Sequence, residues 1–232
     1  MYVLGSVVLT AAAPAKGAAQ AVNDPTPIVT PVVVTSGSAV INKAPDVAYV
    51  SVAVETRAKT PREAQRQNAD LMNAVVKRLS ELSVPPDARR TSSLRLEQEY
   101  DIANGRRVPR DFVARNSVEV RIDDVSKAGE IADAAVQAGA TSIEGIRFDL
   151  KDRAAVEREA VRLAVADARA RAEAAAAGAG RTLDRILKIE DGERTPAPRP
   201  MVAMRMEAGA ATVVEPGAIE IRAGVTLTVS MK

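Results

Sequence analysis

The periodicity of apolar residues changes in a fixed order between residues 47 and 150, and this order restricts the fold more than any other feature of the sequence. Apolar residues at every second position predict a half-buried strand, whereas spacings of three and four predict an amphipathic helix. The order is strand, helix, strand, strand, helix, strand, over residues 47–56, 61–82, 94–102, 112–122, 126–138 and 142–150. It is typical of a split βαβ, or ferredoxin-like, unit. We therefore predict an α+β fold that contains this unit.

The first helix and the central hairpin carry local signals. Thr60, Pro61 and Glu63 form a capping box with proline at the first helical position, which predicts where the helix begins. The strands LRLEQEYDI and FVARNSVEVRI both place their apolar residues at even positions. Facing residues share one side of a sheet, so their connection needs an odd number of residues, or one strand needs a bulge. A two-residue turn at Asn104-Gly105 conflicts with this parity, so we expect that signal to be misleading.

The remaining segments predict a second small α/β subdomain, formed by residues 32–41, 152–190 and 218–231. Its long helix is nearly neutral and has a stripe of mostly small residues that suits close approach to a sheet: Val156, Ala160, Leu163, Ala164, Ala168, Ala172 and Ala175. We expect the first and last strands to pair with each other or with the strand over 183–190. Gly37 predicts a bend or bulge in its strand, and Gly145 predicts a bulge. Residues 191–217, with four prolines, predict a long loop.

Histidine and cysteine are absent from the 232 residues, and this limits the available chemistry. Without them the chain has no imidazole base, thiol nucleophile, or thiolate or imidazole metal ligand. The net charge of +2 and the small number of aromatic residues, 3 Tyr and 2 Phe, give little basis for binding nucleic acid. We therefore expect a protein that is not an enzyme, holds no cofactor and does not bind nucleic acid.

Residues 1–21 predict a secretory signal peptide, followed by a proline-rich leader over 22–31. An apolar segment, VLGSVVLTAAA, precedes small residues at Ala19 and Ala21, which suit signal peptidase cleavage. No Lys or Arg precedes that segment, so either the true start lies upstream of Met1 or the signal is atypical. No other segment has the roughly 20 apolar residues that span a bilayer. We expect a soluble periplasmic protein, with any envelope association made without a transmembrane segment.

Three groups of residues are candidates for a site, and each also has a structural explanation. Glu97, Glu99 and Asp101 could form an acid pair for hydrolysis, but strand alternation alone produces such a row. Asn68 and Asn116 interrupt apolar stripes, and we expect both to hydrogen-bond irregular backbone rather than a ligand.

The methionines of the segment MVAMRM form the third group. Met201, Met204 and Met206 could bind Cu(I) or provide an adaptable apolar contact. Gly178 and Gly180 are not a nucleotide-binding loop, because they follow a helix. We assign no catalytic, cofactor-binding or metal-binding residue.

Several segments, in this order, resemble the SIMPL domain family: PDVAYVSVAVET, PREAQRQNADLMNAVVKRLSEL, TSSLRLEQEYD, FVARNSVEVRIDDVSKAGEIADAAVQAGATSIEGIRFDL, EAVRLAVADARARAEAAAAGAGRTLDRILKIED and PGAIEIRAGVTLTV. These are exported bacterial proteins often labelled as oxidative-stress-defence or periplasmic immunogenic proteins. The resemblance covers nearly all of residues 32–231. It implies a two-part α+β fold, a periplasmic or envelope location and, in some relatives, ring-like homo-oligomers. It carries over no catalytic residue.

These observations favour a non-enzymatic envelope protein that self-assembles and contributes to stress tolerance. The alternative is a ligand-binding or metal-buffering module that uses the methionine segment, and an enzyme with carboxylate chemistry ranks third. The last strand alternates over 13 residues from Ile219 to Met231 and has neutral outward residues at Thr226 and Thr228. Such a long edge invites pairing. We therefore expect homo-oligomer contacts through this strand's sheet or through the 191–217 loop.

Overall fold

The computed structural model describes residues 30–192 and 214–232. Its main elements are β1 (Val32–Lys43), β2 (Val47–Ala58), α1 (Pro61–Glu81), β3 (Arg89–Ala103), β4 (Arg106–Ile122), α2 (Ala128–Gln137), β5 (Ser142–Asp149), α3 (Arg153–Gly178), β6 (Leu183–Asp191) and β7 (Ile219–Met231). The predicted α+β fold is confirmed. Among the helices of the described ranges, none has the length and apolar character needed to cross a membrane.

The first half of the fold is a four-stranded antiparallel sheet in the order β3-β4-β2-β5, with α1 and α2 packed on one face. This strand order is that of the ferredoxin-like unit predicted from the sequence. Its core side chains come from the central strands and from α1, and they include Val50, Val52, Val54, Val75, Leu79 and Val120, all 0% exposed. At the start of α1, Thr60 Oγ1 accepts from Glu63 N at 3.3 Å. The Glu63 carboxylate bonds Arg66 and Gln67, so we find only the threonine half of the capping box.

The second half is a three-stranded sheet in the order β1-β7-β6, with α3 packed against it. The helix contacts the sheet through residues spaced four apart: Val156, Ala160, Ala164, Ala168, Ala172 and Ala176. Such residues form one ridge along the helix. Leu163 and Ala175, which were predicted to be in the stripe, each lie three residues from a member of this ridge and therefore about 60° around the helix. Both are exposed.

Gly37 is required by the close crossing of α3 over β1. The predicted bend or bulge is wrong, because β1 pairs with β7 in unbroken register from Val32 opposite Ser230 to Lys43 opposite Ile219. A Cβ at position 37 would lie 2.2 Å from Ala168 N and 2.3 Å from Ala164 O. Only glycine therefore allows the helix backbone to come this near.

The β3–β4 hairpin contains both the two-residue turn and a bulge. Asn104 and Gly105 have φ angles of 53° and 75°, which are the left-handed values that this turn needs, so the expectation that the dipeptide misleads is wrong. The register shifts between Gln98 opposite Phe112 and Tyr100 opposite Pro109, which places one extra residue in β4. On the side of the bulge away from the turn, even-numbered residues again face even-numbered residues, from Gln98 opposite Phe112 to Leu94 opposite Asn116. The bulge predicted at Gly145 is also present, as a register shift between β2 and β5.

The last strand, β7, lies between β1 and β6, and its residues from Val225 to Ser230 pair with strands on both sides. The prediction that it presents an edge for pairing is therefore wrong. Its outward-facing Thr226 Oγ1 lies 3.0 Å from Ser36 Oγ on β1. The pairing of the first and last strands, and of the last strand with residues 183–191, is confirmed.

Candidate interaction surface

The helix layer of the four-stranded sheet covers its central strands and, in the edge strand β3, contacts the first residues, such as Arg89, but leaves most of the strand uncovered. α1 packs mainly on β2 and β4. Side chains of β2 that face the helices, such as Val52, are 0% exposed. On the same side of β3, by contrast, Leu94 is 65% exposed and Ile102 is 80% exposed.

We call the residues Leu94, Leu96, Tyr100 and Ile102 the arm face. They lie on one side of β3, because alternate residues of a strand point to the same side of the sheet. Leu96 and Tyr100 are each 45% exposed. Isolated exposed apolar residues are normal on protein surfaces, but a contiguous row of large ones marks an interaction site. The sequence pattern predicts a strand with one wet side, whereas β3 has solvent on both sides.

The charged side of β3 carries the acidic residues that could have formed a hydrolytic pair. Glu99 Oε1 lies 3.3 Å from Arg57 Nη2, and Asp101 Oδ1 lies 3.4 Å from Arg110 Nη1. Two of the three carboxylates are therefore in ion pairs on an exposed surface.

A shallow groove of about 370 Å³ lies on this side of the sheet and is lined in part by Glu55, Glu97, Arg115 and Glu144. Arg115 bridges two of these carboxylates, at 3.4 Å from Glu55 and 2.8 Å from Glu144. The hydrogen bond from Arg115 to Glu144 raises the pKa of the guanidinium above its ordinary value. The groove therefore holds an Arg-centred ion-pair network, which keeps Glu55 and Glu144 engaged with a cation.

The two asparagines that interrupt apolar stripes have different environments. Asn68 is 3% exposed, and its Nδ2 donates to Val54 O at 2.8 Å and to Ala114 O at 2.9 Å. It joins α1 to the backbones of β2 and β4, so the predicted bond from Asn68 to the backbone is confirmed, but these two strands pair in unbroken register and are not irregular. Asn116 Oδ1 is buried but accepts no hydrogen bond from any residue that the structure describes, so the same prediction is wrong for Asn116.

Asn116 lies at the base of the arm face. It is directly opposite Leu94 in the β3–β4 pair and opposite Val54 in the β2–β4 pair. A buried polar atom without a partner is uncommon in a native structure. Its location marks the border between the helix-covered and uncovered parts of the sheet.

The other predicted candidates do not add to this surface. Met201, Met204 and Met206 lie outside the described residues. Gly180 follows α3 with a φ of 67° and ends the helix, as expected for a structural glycine. Within residues 30–192 and 214–232, no group of three or more carboxylates is placed to hold a metal ion.

In comparison with known proteins, the model of one family matches a stretch of the chain that includes both sheets. The model of the family SIMPL, described as "Protein of unknown function (DUF541)", matches residues 33–229. The chain is similar to "Uncharacterized protein YggE" of Escherichia coli strain K12, with 26% identity over 183 residues, which are 79% of this chain and 74% of that protein. It is also similar to the "26 kDa periplasmic immunogenic protein" of Brucella melitensis biotype 1, with 26% identity over 174 residues, which are 73% of this chain and 70% of that protein.

Proposed function

Because the chain belongs to the SIMPL family, we propose that it is a non-enzymatic, self-assembling protein of the periplasm or cell envelope that contributes to tolerance of oxidative stress. The location is supported by the Brucella relative, whose name describes it as periplasmic. The N-terminal segment that predicts export is consistent with the same location. The mass of the protein recovered from a periplasmic extract checks both points, since removal of residues 1–21 is expected.

The arm face is the observation that supports self-assembly. It exposes four large apolar side chains in one row on an edge strand. Burying a Leu or Ile side chain fully contributes about 1.5–3 kcal/mol. Contact between subunits that places this row beside apolar side chains of a second subunit would contribute part of this free energy and would therefore stabilise an assembly.

The native mass of residues 22–232 tests this proposal. We expect light scattering to show an oligomer at micromolar concentration and Ile102→Glu to lower the mass. Val136→Glu is the matched control, because Val136 is also an exposed apolar residue, 50% exposed, but lies on α2 away from the arm face. A monomeric wild-type protein across this range would contradict self-assembly.

The role in stress requires a separate experiment in cells. A strain that lacks the gene is complemented with the wild-type protein, with Ile102→Glu or with Val136→Glu, and survival after peroxide treatment is measured. We expect Val136→Glu, but not Ile102→Glu, to restore survival at equal protein levels. Equal protection by all three would show that stress tolerance does not depend on the arm face.

A further inference from the structure

We infer that two copies of the chain pair through the free edges of their β3 strands, in an antiparallel arrangement that joins two four-stranded sheets into one of eight strands. This inference rests on the proposed self-assembly and names the contact that produces it. The occupant of the free edge of β3, beside the arm face, is therefore the β3 strand of a second copy. The edge position of β3, the order of its side chains and the position of its charges support this pairing.

The backbone edge of β3 is open over residues 93–103, where its protection is limited to the charged side chains on one side; a bulge in β3 itself lies outside this stretch, at Ser92. β3 ends the strand order β3-β4-β2-β5, so only one of its edges is paired among the described residues. Natural edge strands avoid pairing through proline, lysine or a bulge. Residues 93–103 contain no proline, glycine or lysine. The bulge at Glu99 places its extra residue in β4, so β3 itself stays regular over the arm face.

The arm face is self-complementary about Gln98. In an antiparallel pair centred on this residue, Leu94 lies opposite Ile102 of the partner subunit, and Leu96 lies opposite Tyr100 of the partner subunit. The two-fold symmetry repeats each contact, as expected for an isologous interface. All four exposed apolar side chains then form apolar cross-strand pairs, which stabilise sheets.

The charges on the other side of β3 also fit this register. Arg95 makes no ion pair with any residue in the described part of the chain. It would lie opposite Asp101 of the partner subunit, twice by symmetry, and that carboxylate, which lies 3.4 Å from Arg110 of its own chain, would be shared between the two cations. Glu97 would lie opposite Glu99 of the partner subunit, but Glu99 is already paired with Arg57 at 3.3 Å, which offsets this repulsion.

Neighbouring registers pair the same residues less well. A centre at Glu97 places two Glu97 carboxylates directly opposite each other. A centre at Leu96 places Ile102 opposite Arg90 of the partner subunit, and Tyr100 opposite Ser92 of the partner subunit. Only the register centred on Gln98 pairs the arm face with itself completely.

Disulfide trapping tests the register directly, because the chain has no cysteine. Directly opposed residues of antiparallel strands have Cα atoms about 4.5–5.5 Å apart, which lies within the range of roughly 4.4–6.8 Å that a disulfide spans. Gln98→Cys is therefore expected to form a covalent dimer under mild oxidation. Ile102→Cys is the matched control on the same face, because its two copies would lie about 27 Å apart. The double variant Leu94→Cys/Ile102→Cys should again form dimers, since these positions face each other only between subunits.

Native mass and circular dichroism of the reduced variants show whether each still folds and assembles. Covalent dimers from Gln98→Cys and from the double variant, with none from Ile102→Cys, would support the inference. The inference is overturned if the protein assembles but neither Gln98→Cys nor the double variant forms a covalent dimer. It is also overturned if Ile102→Cys forms as much covalent dimer as Gln98→Cys. In both cases the proposal of self-assembly would stand. A wild-type protein that is monomeric would overturn both.

Discussion

Replacement of Gly37 by alanine should separate α3 from the three-stranded sheet. The new Cβ would lie 2.2 Å from Ala168 N and 2.3 Å from Ala164 O, and both atoms belong to the helix backbone. To restore an ordinary contact distance of 3.4 Å, α3 would have to move away by about 1.2 Å. Removal of a side chain cannot relieve this clash.

The cost of this movement has two parts. Overpacking a core costs about 1–3 kcal/mol, and sometimes more. The movement also strains the hydrogen bonds that join β1 to α3, from Thr35 Oγ1 to Ala168 O at 2.8 Å and from Ser38 N to Asp167 Oδ2 at 3.0 Å. Each contributes about 0.5–1.5 kcal/mol. We expect Gly37→Ala to lower the free energy of unfolding by about 2–6 kcal/mol, which is a large part of the roughly 5–15 kcal/mol of a typical domain.

Urea unfolding followed by circular dichroism measures this loss, and the melting temperature should fall by roughly 10 °C, at about 2–4 °C per kcal/mol for a chain of this size. Gly224→Ala is the matched control, since Gly224 lies on β7 in the same sheet with no atom within 4 Å of its added Cβ. We expect it to leave stability unchanged or to raise it by up to about 1 kcal/mol. Ala168→Gly should not rescue Gly37→Ala. A Gly37→Ala protein within about 1 kcal/mol of wild type would refute the backbone clash.

Three further substitutions test other contacts. Asn68→Ala should lower the free energy of unfolding by about 2–4 kcal/mol, because two buried carbonyls lose their donor, whereas the exposed Asn73→Ala on the same helix should have little effect in the same urea titration. Thr60→Ala should lower the free energy of unfolding by about 1 kcal/mol because the helix cap is lost. Thr60→Ser should retain most of the stabilisation by the cap. The hydrogen bond from Ser38 N holds the pKa of Asp167 below its ordinary value of 3.8. This carboxylate therefore stabilises the fold above that pH and loses its contribution as the pH falls further, so Asp167→Asn should lower the urea midpoint at pH 6 more than at pH 3.

The sequence predicted the features that depend on neighbouring residues. Strand alternation placed the strands, and Thr60 and Pro61 marked the start of α1. The parity of the even-numbered apolar residues required either an odd connection or a bulge, and the bulge is present. Here the prediction about Asn104 and Gly105 was wrong because turn and bulge act at separate places in the hairpin, and each satisfies its own local rule.

The features that the sequence did not predict depend on what packs against a residue from elsewhere in the chain. Gly37 looks like a strand irregularity until α3, more than a hundred residues later, is placed over it. The arm face has the same alternation as a buried strand, and only the position of α1 shows that Leu94 and Ile102 are uncovered. Similarly, the regular pattern of β7 does not show whether the strand is central or at an edge.

The bulge in β4 also restricts how the arm face can be covered. Between the bulge and the turn, Arg107 lies opposite Ile102 and Val108 lies opposite Asp101. Arg107 therefore lies on the same side of the sheet as the arm face, and Val108 lies on the other side. The Arg107 guanidinium lies 4.3 Å from the centre of the Tyr100 ring. A partner packed flat on the arm face would have to remove this cation from water, which is costly unless the partner supplies an anion. Pairing along the free edge of β3 places the apolar residues of two strands side by side and leaves the β4 side, with Arg107, in solvent. The bulge therefore favours edge pairing over face-to-face packing.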